Sequence, residues 1–350
     1  MQNPTCAQLF TLLTAGAFIS LIISCSEKPE ESEPTPVPEP EQKISEWQPV
    51  PNWMSLPEGM EHMGASHGDV AVSEAGEIYV SLTGGLRAGV QVYSNEGKYL
   101  RNVENAPNDF HGFVIHKDTD GVEYIYGPRL SGGEIVKLTL EGKTVMTIPG
   151  DSIPKEHWEV HPKTKKAGLR LTACDIAPNG DIFVTDGYSS DLIHHFSSKG
   201  EYITTFGGKD APYNFQTLHK IAVDTRFDPP RIVGVSRTDG RVVHMSLEGE
   251  LLGNVATDLL KPAALVTYGD LLAVGEILGR VTLLDKEGNI VAQLGANDHE
   301  DEVGTNKTEP TKWRAGVVNA PHGVAFNSNG DLFVTEYSLF GRILRYNAAK

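Results

Sequence analysis

The sequence predicts an all-β chain that folds as a six-bladed β-propeller. Three observations support this prediction: a strand pattern that recurs six times, a recurrence interval close to the length of a four-stranded blade, and glycine-containing turns between the strands. The interval is roughly 45 residues outside two insertions, near 150–170 and 297–318. No segment has the pattern of a long amphipathic helix. The repeats start at His67, His111, Ala173, His219, Ala263 and His322.

The second strand of the repeat shows the copies most clearly. A glycine turn leads into a short apolar run at 76–81, 180–185 and 330–335, which is typical of a strand. The third strand ends at a Glu-Gly or Lys-Gly turn, as at 199–200 and 287–288. The sixth repeat stops before its fourth strand, so we expect the segment from Trp47 to Met60 to supply that strand and close the ring. A β-sandwich or an open solenoid is the alternative.

Composition excludes two broad classes. The 350 residues include 46 Asp and Glu against 30 Lys and Arg, which gives a net charge of −16. Because binding to nucleic acid requires a basic face, this balance argues against a nucleic-acid partner. Three cysteines are too few for a disulfide-dense scaffold.

The N-terminal region predicts a lipoprotein. An apolar run ends in Ile-Ile-Ser-Cys at 22–25, which resembles a bacterial lipobox with Cys25 as the acylated residue. An ordinary signal peptide is the alternative, because residues 1–10 contain no Lys or Arg. We therefore expect a signal peptide at 1–24, a Pro/Glu-rich tether at 25–46, a propeller at 47–350, and a lipid-anchored protein of the bacterial cell envelope. Cys174 would be the lone remaining thiol.

The repeats resemble NHL repeats and, within that group, the lyase domain of peptidylglycine α-amidating enzymes. The segment 185–189 resembles the family segment that contains the catalytic Tyr, which corresponds here to Tyr188. The segment 235–241 resembles the one that contains an active-site Arg, here Arg237. Three further segments resemble the zinc-binding His segments in the family's order, and they contain His111, His219 and His322.

The positions of these histidines independently favour a metal site. Residues that start the innermost strands ring the mouth of a propeller channel, and repeats two, four and six are alternate blades. Three imidazoles that converge from alternate blades suit one Zn²⁺ with a fourth position open, the arrangement of a catalytic zinc. His67 belongs to the first repeat, outside the alternate-blade set. It either lines the channel or joins the metal site, and both alternatives remain open. A His-Gly pair that only satisfies backbone groups at a strand start is the alternative.

The resemblance implies roles for two further side chains. Tyr188 would be the proton-accepting base, and Arg237 would hold a substrate carboxylate. Arg87 is a looser candidate for the same role, on its position in the first repeat and not on the resemblance. An exposed loop tyrosine is the alternative for Tyr188, and a surface salt bridge is the alternative for Arg237 and Arg87. Gly323 stands where the family has a calcium-binding Asp, so we do not expect calcium. His116, His194, His195 and His244 are expected outside the site.

Two functions from different classes remain open. The first is a zinc-dependent lyase that cleaves an α-hydroxyglycine-type amide, from a small molecule or a peptide, to an amide and glyoxylate. The alternative is a non-catalytic binding propeller for protein or glycan at the cell envelope. The metal content of the purified protein discriminates between them. A calcium-dependent lactonase is disfavoured, because it would need a channel ring of Glu, Asn and Asp.

Overall fold

The structure is a computed structural model that describes residues 47–160 and 165–348. Within these residues, six four-stranded antiparallel sheets follow one another along the chain, and we number them blades 1 to 6. The predicted all-β six-bladed propeller is confirmed. The predicted signal peptide, the tether and Cys25 lie outside the described residues.

The strands of each blade are consecutive in sequence, except in blade 6. Blade 1 contains Val70–Val72, Ile78–Leu82, Gly89–Tyr93 and Tyr99–Asn102. Blade 2 contains Val114–Lys117, Glu123–Pro128, Ile135–Thr139 and Thr144–Ile148. Blade 3 contains Ala173–Ile176, Ile182–Thr185, Leu192–Phe196 and Tyr202–Gly207.

The second half of the propeller repeats this order. Blade 4 contains Leu218–Asp224, Arg231–Ser236, Arg241–Ser246 and Leu251–Ala256. Blade 5 contains Pro262–Tyr268, Leu271–Glu276, Arg280–Leu284 and Ile290–Leu294. Blade 6 contains Pro321–Phe326, Leu332–Glu336, Ile343–Asn347 and the N-terminal strand Gln48–Pro49.

The first strand of each blade is the innermost one. Each first strand contacts the first strands of both neighbouring blades, and the contact between blades 6 and 1 completes the ring. The first strands therefore line a central channel, and the residues at their N-terminal ends surround one mouth of it.

The N-terminal strand closes the ring as the sequence predicts. Gln48 pairs with Asn347 and Pro49 with Tyr346, so residues 48–49 form the outer strand of blade 6. The indole of Trp47 donates to the carbonyl oxygen of Gly330 at 3.1 Å. The indole of Trp53 donates to the carbonyl oxygen of Asn95 in blade 1 at 2.9 Å. This short segment therefore joins the last blade to the first.

The apolar core is divided into six clusters, one between each pair of adjacent blades in the described residues. In blade 3, Ile182 and Val184 pack toward blade 2, while Phe183 packs toward blade 4. Because both faces of every sheet are covered by a neighbour, the second strands are apolar at consecutive positions. This burial explains why the repeat is clearest in those strands.

The two predicted insertions lie outside the blades. The first contains the 3₁₀ turns Gly150–Ser152 and Lys155–His157 and the paired strands Glu159–Val160 and Ala167–Gly168. The second contains the 3₁₀ turn Pro310–Lys312. Within the described residues, no helix is long and apolar enough to cross a bilayer.

Candidate active site

Irregular pairing at the start of the first strands directs two of the predicted histidines. In blade 4, Leu218 pairs with Ser236 and Lys220 pairs with Val235, so His219 is an unpaired extra residue. In blade 6, the register skips His322 in the same way. Such a bulge re-aims the extra side chain relative to its strand. His219 and His322 accordingly join His111 at the channel mouth.

The glycines that follow two of the histidines allow the blades to approach closely. A Cβ atom at Gly112 would lie 2.6 Å from the carbonyl oxygen of Thr172 in the next blade. A Cβ atom at Gly323 would lie 2.6 Å from Oδ1 of Asp69 in blade 1. The His-Gly pairs therefore reflect close packing between neighbouring blade starts.

Four imidazoles meet at the channel mouth. The ring centroid of His111 lies 4.7 Å from those of His219 and His322. The centroid of His67 lies 4.8 Å from those of His111 and His322. One nitrogen of each of His67, His111 and His322 lies within 4.8 Å of the others, a group able to hold a metal ion. The structure thus brings His67 into contact with the histidines expected from alternate blades.

The three alternate-blade histidines share an anchor that fixes their orientation. Nδ1 of His111 donates to the carbonyl oxygen of Thr172 at 2.9 Å, where blade 3 begins. Nδ1 of His219 donates to Ala263 in blade 5 at 2.6 Å, and Nδ1 of His322 donates to Gly68 in blade 1 at 3.2 Å.

Because a carbonyl oxygen can only accept, Nδ1 of each of these rings must bear the proton. Nε2 is then left with a free lone pair. Metal-binding histidines in proteins are oriented by hydrogen bonds of this kind.

The Nε2 atoms of His111 and His219 converge on the hydroxyl of Tyr188. Oη of Tyr188 lies 2.9 Å from Nε2 of His219 and 3.1 Å from Nε2 of His111. Nε2 of His322 is buried and has no hydrogen-bond partner among the described residues. An unpartnered buried nitrogen costs free energy unless a ligand satisfies it, so the donor set fits a bound metal ion.

His67 differs from the other three histidines. Its Nε2 lies 3.4 Å from Oη of Tyr188, but its Nδ1 has no backbone anchor among the described residues. It is partly exposed, whereas His111, His219 and His322 are at most 3% exposed. His67 therefore faces the solvent-accessible side of the cluster.

Burial sets the protonation of the cluster. It lowers the pKa of His111, His219 and His322 well below their usual value, and neighbouring cationic and imidazole groups act in the same direction. Burial, with Arg237 and Arg170, lowers the pKa of His67 to about 4. All four imidazoles are thus neutral at pH 7, the form that binds a metal.

Tyr188 lies in a loop that is held on both sides. The carboxylate of Asp186 accepts a hydrogen bond from the backbone N–H of Arg170 at 2.6 Å and one from the hydroxyl of Ser190 at 3.0 Å. Nη1 of Arg237 donates to Oη of Tyr188 at 3.1 Å, and Arg170 lies over the tyrosine ring. Burial raises the pKa of Tyr188, whereas the charge of Arg237 opposes this shift.

Two cavities flank His67. One, of about 410 Å³, is lined by Tyr188, Arg237, Lys261 and Tyr337 among others. The other, of about 280 Å³, is lined by His111, Asn108 and Ser131 among others. His67 lines both cavities, so the cleft extends across the His cluster.

A buried ion pair lies next to the His cluster, where Lys220 donates to the carboxylate of Asp69. The Asp69 carboxylate also lies near Gly323, the position at which the family has a calcium-binding Asp. An ammonium group therefore neutralises the buried acid nearest that position.

The remaining predicted residues lie away from the cluster. Arg87 contacts the hydroxyl of Tyr99 at 3.1 Å in blade 1 and lines neither cavity. Four histidines that were expected outside the site contact residues of their own blades: His116, His194, His195 and His244. The sequence analysis missed Arg170 and Lys261, which come from loops with no repeated pattern. It also did not predict Tyr337, which directly follows the second strand of blade 6.

Comparisons with known proteins confirm the fold class. Neither a family model nor a curated protein matches the chain. A streptogramin B lyase structure is 14% identical with a TM-score of 0.53, over 87% of this chain and 97% of that one. Virginiamycin B lyase from Staphylococcus aureus is 14% identical with a TM-score of 0.51, over 82% and 98%. A gluconolactonase from Xanthomonas campestris is 11% identical with a TM-score of 0.57, over 82% and 88%.

These likenesses show the propeller fold, which is consistent with the resemblance to NHL repeats. The chain is a six-bladed β-propeller with a histidine cluster at its channel mouth, and solved structures of the same fold include lyase and lactonase enzymes.

Proposed function

We propose that this chain is a zinc-dependent lyase that cleaves an α-hydroxyglycine-type amide to an amide and glyoxylate. The observation that supports it most is that three backbone-anchored imidazoles meet at the channel mouth. Two of them contact the hydroxyl of Tyr188, which also accepts a hydrogen bond from Arg237. A binding propeller would need neither the anchored donor set nor the arginine beside the tyrosine.

His111, His219 and His322, whose ring centroids lie within 4.9 Å of one another, would hold the metal. His67 forms a second group able to hold a metal, together with His111 and His322. Neutral imidazoles with free Nε2 atoms suit Zn²⁺, which binds histidine nitrogen at about 2.0–2.1 Å. Bound Zn²⁺ would supply a Lewis acid that lowers the pKa of a coordinated hydroxyl. We do not propose calcium.

Tyr188 and Arg237 would perform the acid–base and binding steps. The guanidinium of Arg237 would hold the substrate carboxylate by paired hydrogen bonds and, through its contact with Oη, favour the tyrosinate form of Tyr188. Tyr188 would accept the proton of the substrate hydroxyl. The four imidazoles and Tyr337 would surround the reacting carbon and limit access of bulk water.

The reaction balances without an oxidant or reductant. The hydroxyl proton moves to Oη of Tyr188, the hydroxyl oxygen forms a carbonyl, and the carbon–nitrogen bond breaks with its electron pair on nitrogen. The nitrogen then takes a proton, which Tyr188 can return. The products are an amide and glyoxylate.

The similar structures support a catalytic role only through the fold. Two of them are described as lyases and one as a gluconolactonase, so the same scaffold supports elimination and hydrolysis in other proteins. We also propose that acylation at Cys25 anchors the chain at the bacterial cell envelope, on the strength of the lipobox-like sequence alone.

A comparison of two tyrosine variants tests the proposed function. Glyoxylate release from α-hydroxy-N-benzoylglycine would be measured for the wild type, Tyr188→Phe and Tyr337→Phe, with zinc content determined in parallel. We expect Tyr188→Phe to keep zinc and lose at least about 100-fold in rate, since it removes the base. Tyr337→Phe, which keeps the ring beside His67, should retain most of the rate. Equal rates for the two variants, or no glyoxylate from zinc-loaded wild type, would contradict the proposal.

A further inference from the structure

The cleft on either side of His67 is chemically asymmetric. The larger cavity contains two cationic side chains, Arg237 and Lys261, and no acidic residue lines it. Arg170 adds a third positive charge beside Tyr188. We call this cavity the basic lobe.

The cations of the basic lobe have no acidic partners. Among the described residues, none of Arg170, Arg237 and Lys261 forms an ion pair, although the chain has 16 more acidic than basic residues. Within the described part of the chain, the guanidinium of Arg237 donates only to the hydroxyl of Tyr188. Clustered like charges without counterions repel one another, and an anionic ligand would relieve that repulsion.

The backbone places Lys261 at the cavity. The residue has φ of +56°, in the left-handed region that non-glycine residues seldom adopt. Its N–H donates to the carbonyl oxygen of Leu259, and its own carbonyl oxygen accepts from Ile277. These bonds hold the tight turn that precedes blade 5 and place Lys261 at the wall of the basic lobe.

The smaller cavity, which we call the neutral lobe, has no free charge at its wall. Its one acid, Asp109, forms an ion pair with Arg129 at 2.9 Å and accepts backbone hydrogen bonds from Ser131 and Gly132 at 3.2 Å. The side chains of Asn108 and Ser131 line the lobe and have no hydrogen-bond partner within the described residues. They are therefore available to an uncharged polar group.

We propose that Lys261 is a specificity-determining residue for the substrate carboxylate, and that Asn108 and Ser131, on the other side of His67, receive the uncharged amide. The basic lobe would receive the carboxylate at Arg237 and Lys261, and the neutral lobe would receive the acyl-amide group at Asn108 and Ser131. The carbon between these groups then lies at His67, beside the metal ligands. This inference rests on the proposed function and fixes the orientation of its substrate.

Binding of an unreactive ligand pair tests this orientation. N-benzoylglycine has the carboxylate and the amide but no hydroxyl, so the proposed reaction cannot cleave it, and its carboxamide differs only by the missing charge. Isothermal titration calorimetry on the zinc-loaded full chain should show the carboxylate binding at least about tenfold tighter than the carboxamide. The difference should shrink as the salt concentration rises.

Single substitutions show which residues bind the carboxylate end of the ligand and which bind its amide end. Lys261→Gln should weaken binding of N-benzoylglycine about tenfold and leave the carboxamide unchanged, while Lys261→Arg should retain tight binding. Lys286→Gln, which removes a charge from the same blade over the ring of Phe227, is the matched control and should change neither affinity. Asn108→Ala should weaken both ligands by the same factor. Circular dichroism would confirm that each variant is folded.

The outcomes separate this inference from the proposed function. Equal affinities for the two ligands, or equal effects of Lys261→Gln and Lys286→Gln, would overturn the inference even if the protein releases glyoxylate. Conversely, charge-selective binding that depends on Lys261, in a protein that releases no glyoxylate, would contradict the lyase activity and leave the carboxylate site in place.

Discussion

Each of the three alternate-blade histidines can offer only one nitrogen to a ligand, because the other nitrogen donates to the backbone of the next blade. These bonds also cross the seams between blades 2 and 3, 4 and 5, and 6 and 1. The orientation of the ligands is therefore determined by the assembly of the ring. A histidine in an isolated blade would lack its anchor.

Removal of any one anchored histidine should release the metal. We expect His111→Ala, His219→Ala and His322→Ala each to lose bound zinc to a chelator, since two imidazoles hold zinc weakly. Ala173 and Ala263 occupy the corresponding positions of blades 3 and 5, so the fold should tolerate alanine. Elemental analysis after dialysis measures the zinc, and circular dichroism checks the fold.

His116→Ala is the control for this series, because its ring contacts Tyr126 in blade 2 and does not reach the cluster. It should retain zinc at the wild-type level. Retention of zinc by all three site variants would show that the anchored histidines are not the ligands.

At the scale of the single strand, an ion-pair network supports the innermost strand of blade 4. The buried carboxylate of Asp224, at the end of this strand, accepts hydrogen bonds from Arg226 at 2.7 Å and from His244 at 3.0 Å. Burial alone would raise the pKa of Asp224, but these bonds outweigh burial and hold the pKa below its usual value.

This network should give the stability of the fold a defined pH dependence. Because the pKa of Asp224 is lower in the folded chain than in the unfolded chain, its contribution is complete above about pH 4 and declines as the pH falls further. Asp224→Asn should reduce the free energy of unfolding by about 3 kcal/mol at pH 7, with a smaller difference at pH 3. Denaturant unfolding at the two pH values measures both.

Asp301→Asn, which removes the exposed partner of Lys312, is the control and should change stability little at either pH. A loss for Asp224→Asn that is the same at pH 7 and pH 3 would contradict the assigned role of its charge.

The closing strand should contribute far more stability than the tether that precedes it. Deletion of residues 47–60 removes Gln48–Pro49 and the packed Trp47 and Trp53, and it exposes the edge of blade 6. We expect a loss of at least about 5 kcal/mol in the free energy of unfolding.

Deletion of residues 26–46 alone should leave the unfolding curve unchanged, because its Pro/Glu-rich composition offers almost no apolar surface to bury. The two deletions are compared by thermal unfolding on otherwise identical chains. Coincident curves would show that the N-terminal strand does not close the ring.

For the whole molecule, the sequence predicts the architecture more fully than the site. Consecutive apolar residues such as Ile182, Phe183 and Val184 identify strands that are covered on both faces, and their recurrence gives the blade count. The spacing of His111 and His322 likewise predicts that they meet, because equivalent positions of a closed ring share one channel mouth.

The rest of the site depends on loops that do not repeat. Arg170 follows the first insertion, and Lys261 belongs to a turn with a left-handed residue, so no periodic signal places either beside Tyr188. The role of His67 could not be predicted, because the sequence does not show which imidazoles donate a hydrogen bond to a backbone carbonyl oxygen. That distinction depends on distances across the blade seams.

The membrane anchor is a separate prediction for the complete protein. Replacement of Cys25 by Ala should move the chain from the membrane fraction to the soluble fraction, because stable attachment requires acyl chains on that residue. Fractionation of cells that express each form, followed by detection of the chain, measures this. A Cys25→Ala chain that still sediments entirely with membranes would contradict the lipoprotein prediction.

The central claim is that a histidine-held zinc enables this propeller to cleave an α-hydroxyglycine amide. The most direct test measures glyoxylate release from α-hydroxy-N-benzoylglycine by one purified sample, first as isolated, then after removal of metal with a chelator, and finally after addition of one equivalent of Zn²⁺. We expect release that the chelator abolishes and that zinc restores. Glyoxylate release that the chelator does not change, or no release from a chain that holds one zinc, would contradict the proposed zinc-dependent activity.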